Sequence, residues 1–347
     1  MSTTAVAAAA RDSAVFRLLR AQNTFLVAVL IGLIAVFTAA TPAGTFFSVE
    51  NFKNIALDTA EIFILAAGQT FIIIAAGIDL SIGSLVIFSS VVSADVMVHL
   101  SGSDAQVANF EYPHLARGLV FGIAAGILAG TAWGLFNGLV TVKFHIPSFI
   151  VTLGSLGMAL GFAQVITGGL NVANVPPQIQ DVFGGGSMFG VVPWLVVVAV
   201  GVLAVTWTIL ARTRYGLRTY AIGSNIEAAR RAGINVDRHV ISLFVMMGAL
   251  CGIVGILDVA RFDTASISAH SQDNLVAIAA VVIGGTSLYG GKGSMGGTII
   301  GALIPSILRN GFILVGVQPF WQNVAIGAVL VVAVYIDQVR RRRSLVE

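Results

Sequence analysis

"YGLRTYAIGSNIEAARRAGINVDRHV", residues 215–240, is a polar and basic stretch between two long apolar runs. Within it, Ser224 is followed three residues later by Glu227. This spacing is a capping box, in which the side chain of each residue bonds the backbone N–H of the other at the start of a helix. The stretch is therefore predicted to contain a separate helix, although the apolar runs could have been joined by a short loop.

The end of this helix is also marked in the sequence. Gly233 supplies the left-handed residue that ends many helices, and Arg230 and Arg231 precede it. Positive charge in the last turn suits the negative end of the helix dipole. The predicted helix, 225–232, is too short to be stable alone. We therefore expect it to pack on another structure.

The composition is that of a membrane protein. Of 347 residues, 57% are hydrophobic and only 10% are charged, and the mean hydropathy is +0.94. Soluble domains carry about 25% charged residues. The chain also has 39 glycines, which suits close helix packing in a bilayer. The pI near 9.3 does not indicate a nucleic-acid partner, because the basic residues flank apolar runs instead of forming one stripe.

About ten stretches are long and apolar enough to be membrane spans. They are approximately 24–41, 55–76, 81–98, 117–140, 148–167, 190–210, 239–259, 273–289, 295–315 and 320–338. With a cytoplasmic N-terminus, fifteen of the 19 Lys and Arg residues fall on the inner side, as the positive-inside rule requires. An even number of spans returns the basic C-terminus to that side. We expect an all-α integral membrane protein with both termini in the cytoplasm.

The predicted organisation has three parts. Residues 1–23 form an N-terminal segment, 24–338 a transmembrane domain with the polar segment 211–238, and 339–347 a basic tail. The N-terminus has no cleavable signal pattern, so it is expected to stay attached. Residues 12–20 mix apolar and basic side chains, which suits either a short helix in the membrane interface or a frayed tail.

No nucleotide site is expected in this chain. Gly291, Gly293 and Gly296 match the spacing of a dinucleotide-binding motif, but no strand precedes them and they join two spans. The pair Gly291 and Lys292 does not make a phosphate-binding loop either. Gly293 stands where that loop needs Ser or Thr, and Thr286 stands where it needs its first Gly.

Ionisable and amide side chains inside spans are costly and so suggest function. They are Glu61, Asp79, Asp95, Asp258 and Arg309, with Gln69, Asn137 and Gln164. No Lys or Arg is expected opposite a carboxylate in the middle of a span, which argues against an ion relay. The three amides either line a polar path or tie helices together. The five histidines show no i, i+4 pair and the single cysteine is isolated, so neither a metal site nor a disulfide is expected.

The segment "AAGIDLSIGS", residues 75–84, predicts an interrupted membrane helix. Two glycines flank Asp79, so the backbone can leave one helix while Asp79 or Ser81 caps the next. Unwound backbone at membrane depth is tolerated only against protein or a water-filled cavity. Asp79 and Ser81 are therefore either a structural cap or part of a gate or pathway.

Four stretches together resemble the permease subunits of ABC sugar importers of the ribose, xylose and arabinose type, in the branched-chain amino acid/sugar permease superfamily. They are "AAGIDLSIGS" at 75–84, "GLFNGLVTVKFHIPSFIVTLGSLGMALG" at 134–161, "RYGLRTYAIGSNIEAARRAGI" at 214–234 and "VVIGGTSLYGGKGSMGGTIIGAL" at 281–303. The resemblance covers most of the chain after residue 50. Ala76 departs from it, because many members have a second glycine there.

The resemblance implies a type II-like ABC importer permease fold in the cytoplasmic (inner) membrane. It implies a cytoplasmic ABC ATPase subunit that carries ATP and Mg, an extracytoplasmic sugar-binding protein and a second permease subunit, with a homodimer expected. This chain would then be no enzyme and would bind no cofactor. The predicted ATPase-coupling residues are Ser224, Asn225, Glu227, Ala228, Arg230, Arg231 and Gly233, and the predicted path or gate residues are Gln69, Asp79, Ser81, Asn137 and Gln164.

The expected function is that of a translocation subunit for a pentose or hexose, driven by ATP hydrolysis on a separate subunit. Two alternatives remain at this stage. A permease for another small solute, such as branched-chain amino acids, would share the architecture. An ion-coupled secondary transporter would need no ATPase, and the polar segment 211–238 argues against it.

Overall fold

The computed structural model describes residues 22–344, and the predicted interfacial helix 12–20 lies outside them. Thirteen α-helices make up most of this part of the chain. They are α1 (Gln22–Ala40), α2 (Val49–Ile74), α3 (Ile82–Ser101), α4 (Asp104–Ala108), α5 (Leu115–Lys143), α6 (Ser148–Thr167), α7 (Trp194–Arg212), α8 (Arg214–Ser224), α9 (Ile226–Arg231), α10 (Val236–Phe262), α11 (Asp273–Ile283), α12 (Met295–Leu314) and α13 (Pro319–Ser344). Between α6 and α7 lie a π-helical turn (Gln180–Gly184) and a short antiparallel hairpin of β1 (Ser187–Met188) and β2 (Val192–Pro193).

The prediction of an all-α membrane protein is confirmed. Within the described residues, seven helices are long and apolar enough to cross a membrane, namely α2, α3, α5, α6, α7, α10 and α12. Helix α11 and the Leu26–Ala40 part of α1 are apolar but shorter. The count of about ten spans and the orientation of the termini stay predictions.

Helix α2 is the central helix of the bundle. The most apolar 18 residues of α2 are 83% buried inside the protein, whereas the corresponding parts of α5, α6 and α7 are 22% to 28% buried. The α2 side chains Ile64, Leu65 and Phe71 pack in the main core with Met247 and Val254 of α10. A helix that is apolar all round is buried on all sides, which is the position α2 occupies. Helices α5 to α7 instead turn apolar side chains outward, to lipid or another protein.

Helices α5 and α10 pack backbone against backbone. Gly130 and Gly134 of α5 face Gly248 and Gly252 of α10, and a Cβ at any of the four would clash with the opposite main chain. Small residues allow this close approach, which adds van der Waals contact between helices in a bilayer. The glycine content of the sequence is thus explained in part by this contact.

Two chain interruptions meet inside the bundle. Residues 75–81 separate α2 from α3, and residues 263–272 separate α10 from α11. The side-chain amide of Asn274 donates to the Leu80 carbonyl at 3.1 Å, and Gly83 lies directly against the main chain of His270. Helix α11 has only 11 residues and so is about 16 Å long, roughly half the thickness of the hydrocarbon core.

Candidate functional site

Helix α9 begins one residue later than the sequence predicted. Ser224 is the last residue of α8, and Asn225 is the N-cap of α9, with φ −161° and ψ 106°. The Asn225 side-chain oxygen accepts the Ala228 N–H at 2.9 Å. The prediction of Ser224 as N-cap is therefore wrong, because helical backbone at Ser224 keeps its side chain from that position. Glu227 lies in the first turn, where its charge suits the helix dipole.

The predicted end of α9 is confirmed at Gly233, whose φ is +82°. The N–H of Gly233 donates to Arg230, and the N–H of Ile234 donates to Ala229, which satisfies two of the last carbonyls of the helix. Arg230 also pairs with Asp237 at 3.0 Å, a contact that holds α9 against the start of α10.

The outward face of α9 is open. Its only buried residue is Ala229, which packs with Ile222 and Val236. The exposed residues form what we call the α9 surface, and they are Ser224, Asn225, Ile226, Glu227, Ala228, Arg230, Arg231, Ala232 and Gly233. It combines one half-exposed isoleucine with charges of both signs, a composition that suits docking to a protein.

Helix α8 fixes the α9 surface to the end of α2. The Ile74 carbonyl accepts the Gly291 N–H at 2.8 Å, and Gly223 of α8 lies directly against the same carbonyl. Tyr220 of α8 donates its hydroxyl to the Gly293 carbonyl at 2.9 Å. Burial raises the pKa of the Tyr220 phenol, so the group stays protonated as this donor requires. We call this contact the α8–α2 junction.

Directly after the junction, residues 75–81 run along one face of α6. The backbone N–H of Ile78 donates to the Ser148 hydroxyl and that of Leu80 donates to the Thr152 hydroxyl, each at 3.0 Å. These hydroxyls replace the bonds that a helix would have supplied. The backbone of this interruption is thus satisfied by protein, as the apolar surroundings demand.

A chain of side-chain hydrogen bonds leads from this segment into α5 and α6. Ser81 donates its hydroxyl to the Asp79 carboxylate at 2.6 Å, and the Asn137 amide donates to Ser81 at 3.0 Å. Ser155 donates to the Asn137 oxygen and accepts the Trp133 indole N–H at 2.9 Å. We call these five residues the Asn137 network. All but Trp133 are buried, and a network satisfied in this way fixes one arrangement of its helices.

Of the two predicted caps at 75–84, only Asp79 bonds the backbone at the start of α3, and it bonds the N-cap residue Ser81 instead of the first turn. The Asp79 carboxylate accepts the Ser81 N–H at 2.8 Å, whereas the Ser81 side chain makes no capping bond although Ser81 holds the N-cap position of α3. Asn137 ties helices together, which is one of the two roles that the sequence left open. A cap and a gate are not exclusive, so the gate role of Asp79 stays a prediction.

The other two predicted path residues lie elsewhere. Gln69 is fully buried in α2, and its amide atoms have no hydrogen-bond partner among residues 22–344. Gln164 is exposed on α6. The structure therefore joins Asp79, Ser81 and Asn137 and leaves Gln69 and Gln164 apart from them.

Two features of the structure were not predicted from the sequence. One is a stripe of hydroxyl side chains on α6, formed by Ser148, Thr152 and Ser155. Their spacing of i, i+4 and i+7 in an otherwise apolar run could have indicated it. The second feature is that Arg261 faces two carboxylates, and because Arg261 is the next-to-last residue of α10, the expectation about the middle of a span is not contradicted. Arg261 lies 2.6 Å from Asp58 and 3.6 Å from Glu61, and only the fold brings α10 and α2 together at this point.

Comparison with known proteins gives a consistent result. The family model described as "Branched-chain amino acid transport system / permease component" matches residues 51–334. The chain is 35% identical to the ribose import permease protein RbsC of Escherichia coli strain K12, over 91% of this chain and 93% of that protein. It is 34% identical to the fructose import permease protein FrcC of Rhizobium meliloti, over 85% of this chain and 79% of that protein. No solved structure matches the chain.

A further relative is the xylose transport system permease protein XylH of Escherichia coli strain K12. The two chains are 32% identical, and the match covers 94% of each. The match to the family model, over residues 51–334, includes both the α9 surface and the interrupted segment 75–81.

Proposed function

The chain belongs to the branched-chain amino acid transport system permease-component family, and from that premise we propose that it is the membrane-spanning subunit of an ATP-driven importer for a monosaccharide. It is a multi-pass protein of the cytoplasmic membrane and is not itself an enzyme. The observation that carries the sugar assignment is the near full-length similarity to permeases named for ribose, xylose and fructose.

The proposed partners are those that membership of the permease family implies. ATP and Mg would be held by a separate cytoplasmic ATPase, because no nucleotide motif of this chain has the required context. An extracytoplasmic binding protein would deliver the sugar, and a second permease subunit, identical to this one, would complete the pathway. The exposed apolar side chains of α5 and α6 are available for that pairing, among them Leu135, Phe136 and Phe149.

The route of coupling would begin at the α9 surface. Its exposed residues would dock on the ATPase, and Ala229 with its neighbours fixes α9 to the permease. Movement of α9 would pass through α8 to the α8–α2 junction, since Gly223 and Gly291 both touch the Ile74 carbonyl. Because no loose segment intervenes, a displacement at α9 would move the end of α2.

From the junction the movement would reach the interruption 75–81. This segment bonds α6 through Ser148 and Thr152, and the Asn137 network extends the contact to α5. Switching would exchange these bonds as one unit, because breaking a single member leaves a buried polar group unpaired. An uncharged sugar suits a path of hydroxyls and amides, which bind weakly enough to release it.

The test is uptake into proteoliposomes that hold this chain with its ATPase and binding protein. Labelled pentoses, labelled hexoses and leucine are offered with and without ATP, and with and without a proton or sodium gradient. We expect ATP-dependent uptake of a sugar, with no dependence on the ion gradient. Uptake of leucine instead, or uptake driven by the gradient without ATP, would contradict the proposal.

The double substitution Glu227→Ala with Arg231→Glu tests the coupling route. We expect it to abolish ATP-dependent uptake without changing the folding of the chain, since both side chains are exposed. The matched control is Glu111→Ala with Arg117→Glu, the same exchanges at two exposed positions near the start of α5. Equal losses in both double variants would show that the α9 surface has no special role.

A further inference from the structure

A buried group of charged side chains lies where α2, α10 and the interruption 263–272 meet. Glu61, Asp258 and His270 each offer one ligand atom, and these atoms lie within 4.8 Å of one another. The three residues are 8%, 2% and 4% exposed. We call them, with Asp58, Arg261 and Asp273, the acidic cluster. None of its members belongs to the Asn137 network or to the α9 surface.

The charges of the acidic cluster do not balance. It holds four carboxylates, against one guanidinium and one imidazole. With all four carboxylates ionised and the imidazole protonated, the cluster carries two net negative charges. Unpaired charge in a buried site is costly, so a bound cation stabilises the ionised cluster, as does a proton on one of its carboxyl groups.

The His270 ring is oriented so that it can bind a cation. Nδ1 of His270 lies 2.7 Å from the Asp273 carboxylate, which fixes the ring. Nε2 is buried and has no hydrogen-bond partner, although Asp258 Oδ1 lies only 3.1 Å away. A protonated histidine between two carboxylates has this arrangement, and so has a metal-bound histidine whose other ring nitrogen is held by a carboxylate.

Glu61 provides a second buried group that makes no hydrogen bond and only a long ion pair. Its Oε1 atom is buried without a hydrogen bond, and its nearest cation is Arg261 Nη1 at 3.6 Å. That guanidinium is held mainly by Asp58 at 2.6 Å. Tetrahedral metal–ligand bonds of about 2.1 Å place the ligand atoms about 3.4 Å apart. The ligand atoms now lie within 4.8 Å of one another, so side-chain movement of up to about 1.4 Å would bring Glu61 to that separation.

A surface cavity adjoins the cluster at Arg261. A cavity of about 400 Å³ is lined by Gln180, Asp181 and Arg261. Arg261 thus contacts both this cavity and Glu61, and Asp181 adds a negative charge at the cavity.

We propose that Glu61, Asp258 and His270 bind a divalent transition-metal ion of the zinc class. One imidazole with two carboxylates suits such an ion, whereas magnesium prefers oxygen ligands alone. The bound ion joins α2, α10 and the interruption before α11, and so fixes the contact of the two interruptions. The site is independent of which solute the protein carries.

The experiment uses tag-free, full-length protein in nanodiscs, stripped with a chelator. Zn²⁺ and Mg²⁺ are titrated by calorimetry, the thermal unfolding midpoint is followed, and Co²⁺ is added as a spectroscopic probe of the ligand field. We expect one equivalent of Zn²⁺ to bind, a raised midpoint, visible Co²⁺ absorption bands and no effect of Mg²⁺. No binding of Zn²⁺ by the folded wild-type protein would overturn the proposal.

Substitutions assign the site. His270→Gln and Glu61→Gln are each expected to lower Zn²⁺ affinity at least tenfold, and Asp273→Asn to lower it about ten- to hundredfold by releasing the ring. Asp273→Asn removes no ligand and so remains informative if the other two variants fail to fold. The matched control is Asp95→Asn with His99→Gln, an exposed pair 3.4 Å apart on α3. Loss of binding in that control alone would place the ion on the surface and refute the assignment.

Discussion

Substitution of Gly223 by alanine tests the α8–α2 junction directly. A Cβ at this position would lie 2.6 Å from the Gly291 nitrogen and still closer to the Ile74 carbonyl oxygen, although real Cβ contacts are essentially never under 3.0 Å. Gly291 must therefore move by at least 0.4 Å, and the Ile74 carbonyl by more. The hydrogen bond between these two groups, now 2.8 Å long, would be lost or badly weakened.

The cost of Gly223→Ala has two parts. Overpacking costs about 1–3 kcal/mol. Leaving a buried N–H or carbonyl without its partner costs about 1–3 kcal/mol more. We expect the free energy of unfolding to fall by about 2–6 kcal/mol in total, measured by denaturant titration in mixed micelles. Gly201→Ala on α7 is the control, because a Cβ there meets nothing within 4 Å.

The same variant is expected to separate hydrolysis from transport. The α9 surface is untouched, so the ATPase still docks and hydrolyses ATP, whereas uptake per ATP falls because the movement no longer reaches residues 75–81. Both rates are measured on the same proteoliposomes. A Gly223→Ala protein that matches Gly201→Ala in unfolding free energy and in uptake per ATP would refute the proposed route.

The remaining predictions concern the cap of α9 and the Asn137 network. Asn225→Ala should destabilise α9 by about 1 kcal/mol and raise the rate of amide exchange in α9 about fivefold. Ser224→Ala should change this rate little. Hydrogen exchange of the peptide that covers α9 distinguishes the two variants. If Ser224→Ala raised amide exchange more than Asn225→Ala, Ser224 would be the N-cap of α9, as the sequence predicted. Asn137→Ala and Ser155→Ala should show a coupling energy of about 0.5–3 kcal/mol in a double-mutant cycle of unfolding free energies. If the two changes in unfolding free energy simply added, the contact between Asn137 and Ser155 would contribute nothing to stability.

Much of the fold could be predicted because the bilayer restricts what a sequence can form. Long apolar runs must be helices, since backbone groups in lipid have no other partner. The glycines around Asp79 placed the interruption correctly, and Gly233 placed the end of α9. The cap of α9 was missed by one residue, because Ser224 and Asn225 are both good capping residues and only the continuation of α8 decides between them.

The sequence by itself determined the helical class, the existence of a short capped helix between two spans and the break near Asp79. These features follow from hydrophobicity, capping preferences and glycine, which act over a few residues along the chain. Only the tertiary structure decided that Gly223 and Gly291 meet at the Ile74 carbonyl and that Asn137 joins Ser81 to Ser155. It also brought Glu61, Asp258 and His270 together. Such contacts join residues far apart in the chain, and helix packing sets their distances, so no local pattern could specify them.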